Sequence, residues 1–361
     1  MKQIAILGSA GEIGEKILNI LKNDFNIKAG YYKKHLNRMN NRVTYYHVDI
    51  MEYESLRQFV SGSDYVINCA GSSYMNGIYV AKACAEENAI YIDPFGDNFL
   101  ESQIKADRLD GIFILSCGCF PGMTGILIRH LCNNLDKINF IEGFTFDNQT
   151  PGIYGIVDFI LSGINGFGES DYYYNREKIK DTKIKIIKNN ENQDICFQKY
   201  YTAEIKRIIK RYSPREAVWY SPLLSADIKE LMQKAIIEYL RHKNYYIVVD
   251  YAKKIQEMIL EKYSNEKKYC EITIKCSGEE KGEIVNNSIK LINPFGSNIS
   301  AVVIASIIYI LDKNSMAKGV YYADDIVEFS EIKTHMNSYF ELYVNDKLLD
   351  LGGISYDEGS I

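Results

Sequence analysis

Residues 2–7 form a short apolar run that ends in GSAGEIG at residues 8–14, and a helical pattern follows at once, with Ile17, Leu18 and Leu21 on one face. A strand, a glycine loop and a helix in that order leave the chain little choice. The apolar run needs parallel neighbours, and the helix must cross back over them. The rest of the amino-terminal third keeps the same rhythm. Apolar runs at 27–32, 43–48, 65–70, 90–93 and 112–116 alternate with helical patterns at 53–60, 76–88 and 99–109. Strands alternating with helices of this length predict an α/β fold, a Rossmann-type doubly wound parallel sheet with right-handed crossovers.

Glycines at 8, 11 and 14 carry the first chemical signal. At a strand-to-helix turn, backbone N–H groups and a helix amino terminus converge on one point, which suits a pyrophosphate. A Cβ there would keep the phosphates away. Gly8, Ser9, Ala10, Gly11, Glu12, Ile13 and Gly14 are therefore the expected cradle, with a spacing one residue longer than the usual G-x-G-x-x-G. The end of the second strand selects the dinucleotide. An acidic residue there binds the ribose diol of NAD, but this chain reads AGYYKKH at 29–35. Lys33 and Lys34 suit a 2′-phosphate, so the expected cofactor is NADP, as NADPH; an ordinary solvated basic turn is the plain alternative. Asp49 and Ile50, after the third strand, are candidates for the adenine side. Cys69, Ala70, Gly71 and Ser72 follow the fourth strand, where ligands of such sheets sit.

Length and composition bound the rest. At roughly 150 residues per domain, 361 residues imply about two domains. Lys and Arg number 42 against 47 Asp and Glu, a net charge of −5 that argues against a whole-protein nucleic-acid binder. The longest apolar stretch, 299–311, is shorter than the ~20 residues a spanning helix needs, so no membrane association is expected. The amino terminus lacks the apolar core and cleavage site of a signal peptide, which makes the cytoplasm the expected location. The eight cysteines include no C-x-x-C pair and the five histidines show no ligand spacing, so no metal is expected and the thiols read as reduced.

Three stretches resemble the saccharopine dehydrogenase-like family of NAD(P)-dependent reductases: the opening strand with GSAGEIG, DYVINCAGSSYMNGIYVAKACAEENAIYIDPFGD at 64–97, and SCGCFPGMTGILIRHL at 116–131. A weaker echo lies at 299–320, and residues 135–290 carry none. The resemblance implies a nucleotide domain, an inserted mixed α/β (α+β) domain and a homodimer. It also implies hydride transfer to or from a C=N or C=C bond, in opine-forming and opine-cleaving enzymes or trans-acting enoyl reductases. The expected domains are 1–122 for NADP, 123–315 for substrate and dimerisation, and 316–361 returning towards the first. By the resemblance, Cys117 before G-x-x-P-G is a candidate proton donor or pocket wall. A thiol is a poor acid unless its environment shifts it, and a small buried residue is the plain alternative.

Asp93, in YIDPFGD, is a candidate to orient a ligand or simply to cap the turn before Pro94. Tyr74 is a candidate phenol donor, against ordinary packing. In the second domain Gly155, Gly163, Gly166 and Gly168 read as a substrate lid or a flexible connection. Lys206, Arg207, Lys210 and Arg211 form a basic helix face, either solvated or docking an acidic carrier protein. The expected activity is NADPH-dependent reduction of a C=N bond in an imine, an opine precursor or a thiazoline. The alternatives are an enoyl reductase acting on a carrier-bound or lipid substrate, and a non-catalytic NADP(H) sensor. A compact pocket with a carboxylate-binding arginine, Arg129 or Arg215, would mark the first; a long apolar tunnel would mark the second.

Overall fold

Continuous runs of β-branched and aliphatic residues bounded by glycine and polar turns make strands buried on both faces, and a parallel sheet follows. The computed structural model describes residues 1–33, 40–165, 168–188, 194–263, 267–336 and 339–349. In chain order its first elements are β1 (Gln3–Leu7), α1 (Glu12–Leu21), β2 (Asn26–Tyr31), β3 (Val43–His47), α2 (Tyr53–Val60), β4 (Tyr65–Asn68), α3 (Ser73–Glu86), β5 (Ile90–Ile92), α4 (Asn98–Ala106), β6 (Ile112–Leu115) and α5 (Met123–Cys132). Together with the strand Gly319–Tyr322 they build a seven-stranded sheet in the order Gly319–Tyr322, β6, β5, β4, β1, β2, β3. Every neighbouring pair in it is parallel. The order reverses at β1, which pairs with β2 on one side and β4 on the other. Crevices at such a reversal, beyond the strand carboxyl ends, are where ligands bind.

The chain divides into two compact units, Met1–Ile126 with Gly296–His335, and Leu127–Phe295 with Met336–Ile361. The division corrects the expected boundaries. The helix Gly296–Lys313 belongs to the first unit because it packs along α1. Tyr309 on that helix donates to Asp24 at 2.7 Å and stacks on His335 at 4.7 Å. The strand Gly319–Tyr322 completes the first sheet, whereas Glu341–Val344 pairs in the second. This helix is also longer than the apolar stretch read from the sequence. At 18 residues it matches a membrane-crossing helix in length and composition, and 67% of it is buried. Burial on nearly every side accounts for its apolar composition.

In the second unit the strand Lys137–Asp147 is central, parallel to Glu216–Pro222 and antiparallel to Cys270–Glu280. Cys270–Glu280 pairs in turn with Glu283–Asn293. Helices Ile153–Ser162, Ala226–His242 and Tyr245–Tyr263 pack on one another. The first of them replaces the expected glycine-rich lid: Ile156, Val157, Ile160 and Leu161 are buried, and the helix continues into a 3-10 turn, Gly163–Asn165. Gly166 lies outside the described residues. The basic helix forms as expected over Ala203–Tyr212, started by Thr202 capping the Ile205 N–H and anchored by Ile205, Ile208 and Ile209. Trp219, fully buried, lies over Gly143, where a Cβ would fall 1.9 Å from its ring. Gly143→Ala is therefore expected to overpack the second unit at a cost of about 1–3 kcal/mol, read as a lower urea midpoint.

Candidate cofactor-binding site

The glycine loop is built by backbone pressed on backbone. Gly8 has φ +71°, and a Cβ on it would lie 2.5 Å from the Cys69 carbonyl oxygen. A Cβ on Gly14 would lie 2.3 Å from the Gly8 carbonyl oxygen. The Cys69 N–H donates to Leu7 O at 3.0 Å, which draws the loops after β1 and β4 together. Ser9 is buried, with both its N–H and its hydroxyl donating to Gly30 O at 3.0 Å. Gly11 caps α1 without a side chain, so first-turn amides that have no intrahelical partner face the crevice. Glu12 points elsewhere, its carboxylate accepting from Ser297 at 2.5 Å. A turn this tight, running straight into a helix amino terminus, fits a dinucleotide diphosphate.

The adenosine side lies at the ends of β2 and β3. Val48 N–H donates to Tyr31 O at 2.8 Å and ties the two ends. The His47 ring lies edge-on to Tyr31 at 5.8 Å and tilted against Tyr32 at 5.6 Å. Tyr32 is 54% exposed, and Lys33 beside it is exposed as well. Lys34 lies outside the described residues. Asp49 is committed to the turn into α2: its carboxylate accepts from Met51 N–H at 2.9 Å. Ile50 is half-buried against the core that holds Leu56 and Val60.

Behind the loop after β4 lies a polar network. Asn76 donates to Ala70 O at 2.6 Å, under Gly71, which has φ +65°. Asn68 donates to Asn76 at 3.2 Å and to the Tyr91 hydroxyl at 3.1 Å. Asp93 is fully buried and accepts from Ser73 Oγ at 2.8 Å, from Phe95 N–H at 2.8 Å and from the Tyr91 hydroxyl. Burial pushes its carboxyl above the usual range, against the downward pull of the Tyr91, Phe95, Ser73 and Asn68 donors. Asp93 therefore caps the turn after β5 and joins it to the first turn of α3. Ser72, buried, is the N-cap of that helix.

The two candidate proton donors lie in their packing alternatives. Cys117 lies two residues past β6 and is 0% exposed, its Sγ 3.5 Å from Ile114 O and Leu115 O. Burial pushes that thiol well above its ordinary range, so it neither walls a pocket nor gives up a proton readily. Tyr74 stacks on Phe99 at 3.5 Å and 12°, part of the core rather than a presented phenol. The loop after β6 is instead shaped by its backbone. The Phe120–Pro121 peptide is cis, Gly118 N–H donates to Pro121 O at 3.0 Å, and Cys119 N–H donates to Ser300 Oγ at 2.9 Å. Ser116 donates to Asp97 at 2.9 Å.

Asn68, Asn76 and Tyr91 were not anticipated from sequence. Their only local signal is a polar residue closing an apolar strand, as Asn68 does. Arg215, a candidate carboxylate binder, holds the Asn175 side chain at 3.2 Å.

Residues 4–108 match the saccharopine dehydrogenase NADP binding domain. The fold is similar to that of saccharopine dehydrogenase (L-Glu forming) from Saccharomyces cerevisiae, with a TM-score of 0.64 and 10% identity, covering 95% of this chain and 100% of that one. An oxidoreductase from Lactococcus lactis is 26% identical across 25% of this chain and 47% of its own, with a TM-score of 0.23. No curated protein matches the chain.

Replacing the Asp93 carboxylate tests the network. In Asp93→Asn an amide N–H faces either the Ser73 and Phe95 donors or the Tyr91 hydroxyl. The expected cost is about 1–3 kcal/mol, measured by thermal or urea unfolding.

Proposed function

We propose that this chain, which is saccharopine dehydrogenase-like in its NADP binding domain and in its fold, is an NADPH-dependent reductase of a C=N bond, with an imine, opine-type or thiazoline substrate. The observation that carries the reading is the pairing of the tight glycine turn at Gly8–Gly14, at the amino terminus of α1, with an exposed Lys33, and no carboxylate, after β2. The cradle takes the diphosphate through N–H groups and the α1 amino terminus. Lys33 takes the 2′-phosphate. When bound, NADPH supplies a hydride from its nicotinamide ring. The loops after β4 and β6 form a wall beside it, and its stiffness aligns donor and acceptor.

The buried candidates favour C=N over C=C. A protonated imine that accepts hydride becomes a neutral amine and needs no further proton. An enoyl substrate becomes a carbanion that needs an acid close by. Cys117 and Asp93 are fully buried and the Tyr74 hydroxyl is buried too, so none of these three is presented for that second step.

Fluorescence titration with NADPH and NADH tests the cofactor assignment. Lys33→Ala is expected to weaken NADPH binding roughly tenfold or more, the worth of one charge-assisted contact to phosphate, and to leave NADH unchanged. Equal affinity for both coenzymes in the unmutated protein would overturn it. Loss of NADPH absorbance on adding cyclic imines and thiazolines, but not enoyl thioesters, is the expected result for the substrate class. The reverse pattern assigns the enoyl reaction instead.

A further inference from the structure

Cys132 ends α5 and Cys276 lies mid-strand in Cys270–Glu280, 144 residues away in sequence, with the two sulfurs 3.7 Å apart. Both side chains are buried, and all eight cysteines of the chain are free thiols. The backbone on either side of the pair is already fastened. Cys276 is in register with Ile141 on one neighbouring strand and Asn287 on the other. The segment leaving α5 is tied to the same strand: Asp136 N–H donates to Glu279 O at 2.8 Å and Lys137 Nζ donates to the Glu279 carboxylate at 2.9 Å. Asp136 also accepts from Lys281 N–H at 2.7 Å. At the irregularity between Ser277 and Gly278 the strand lies so close to Lys137 that a Cβ on Gly278 would fall 2.3 Å from the Lys137 carbonyl oxygen. An S–S bond of about 2 Å requires the two sulfurs, now 3.7 Å apart, to close by a little under 2 Å.

We propose that Cys132 and Cys276 are a dithiol that closes reversibly to a disulfide, a redox site of the second unit separate from the cofactor cradle. The oxidant is a small peroxide. One thiol is oxidised to a sulfenic acid as the peroxide O–O bond breaks and one water leaves. The partner sulfur then displaces the sulfenic hydroxyl as a second water, forming the S–S bond. The protein loses two electrons and two protons, and the peroxide is reduced to two waters. A dithiol reductant reverses the step. Contact with Cys276, and then burial, push the Cys132 thiol up.

The test uses the full folded chain. It is treated with hydrogen peroxide, denatured, alkylated with iodoacetamide, digested and analysed by mass spectrometry. The expected result is one linked pair of peptides, carrying Cys132 and Cys276, lighter by two hydrogens and separated by dithiothreitol. The link closes a long loop, so the oxidised protein should melt higher, on the order of 5–10 °C, and a Cys276→Ala protein should show no such shift. Alkylation of both residues after oxidation, while the exposed Cys196 is consumed, would overturn the proposal. So would linkage of either to Cys270 or Cys196. The peptide map of the unmutated chain decides the matter even where Cys276→Ala does not fold.

Discussion

The first unit depends on one contact of main chain with main chain. Gly8 lies against the Cys69 carbonyl, and Gly14 lies against the Gly8 carbonyl. No side chain fits between them, and none is needed. The loops after β1 and β4 are thereby held at the place where strand order reverses, and the amino terminus of α1 is aimed at the gap. A weaker approach would leave room for a Cβ but would carry the first-turn amides out of line with one another.

Around that contact the polar groups divide by role. Those at the rim, Lys33 and the loop residues Gly8 and Ala10 to Ile13, are exposed or half-exposed. Those behind it, Asn68, Ser73, Asn76, Tyr91 and Asp93, are buried and bond one another. Buried polar groups that find all their partners rigidify a site at little net cost, whereas a half-satisfied set would weaken it. The carboxylate that looks most like a catalyst in the sequence, Asp93, belongs to this inner set.

The alternating pattern of the amino-terminal third was legible because β1, β4, β5 and β6 are almost wholly buried and read as short apolar runs, while β3, at the sheet edge, is largely exposed. The ends of β2 to β6 fall one or two residues inside those runs. The glycine cradle was legible because only glycine tolerates such close approach. The helix Ile153–Ser162 was not, because Gly155 sits open to solvent inside it and its cost is met by four buried aliphatic residues. The strand Glu283–Asn293 was not, because its first half carries asparagine and serine while backbone pairing on both sides holds it. For Cys117 the sequence left a proton donor and a small buried residue both open, because its position near a strand end says nothing about which way the side chain turns. Burial is settled by residues distant in sequence, and no local pattern reports it.

The first unit is assembled from two separate stretches of chain, Met1–Ile126 and Gly296–His335. A ribosome therefore delivers β6 long before the strand Gly319–Tyr322 that covers its free edge. At roughly 5–20 residues per second, the edge of the nascent sheet waits on the order of ten to forty seconds for its last partner. During that interval the apolar surface destined to meet the helix Gly296–Lys313 is bare, and this is the stage of biogenesis at which a holdase chaperone has most to shield.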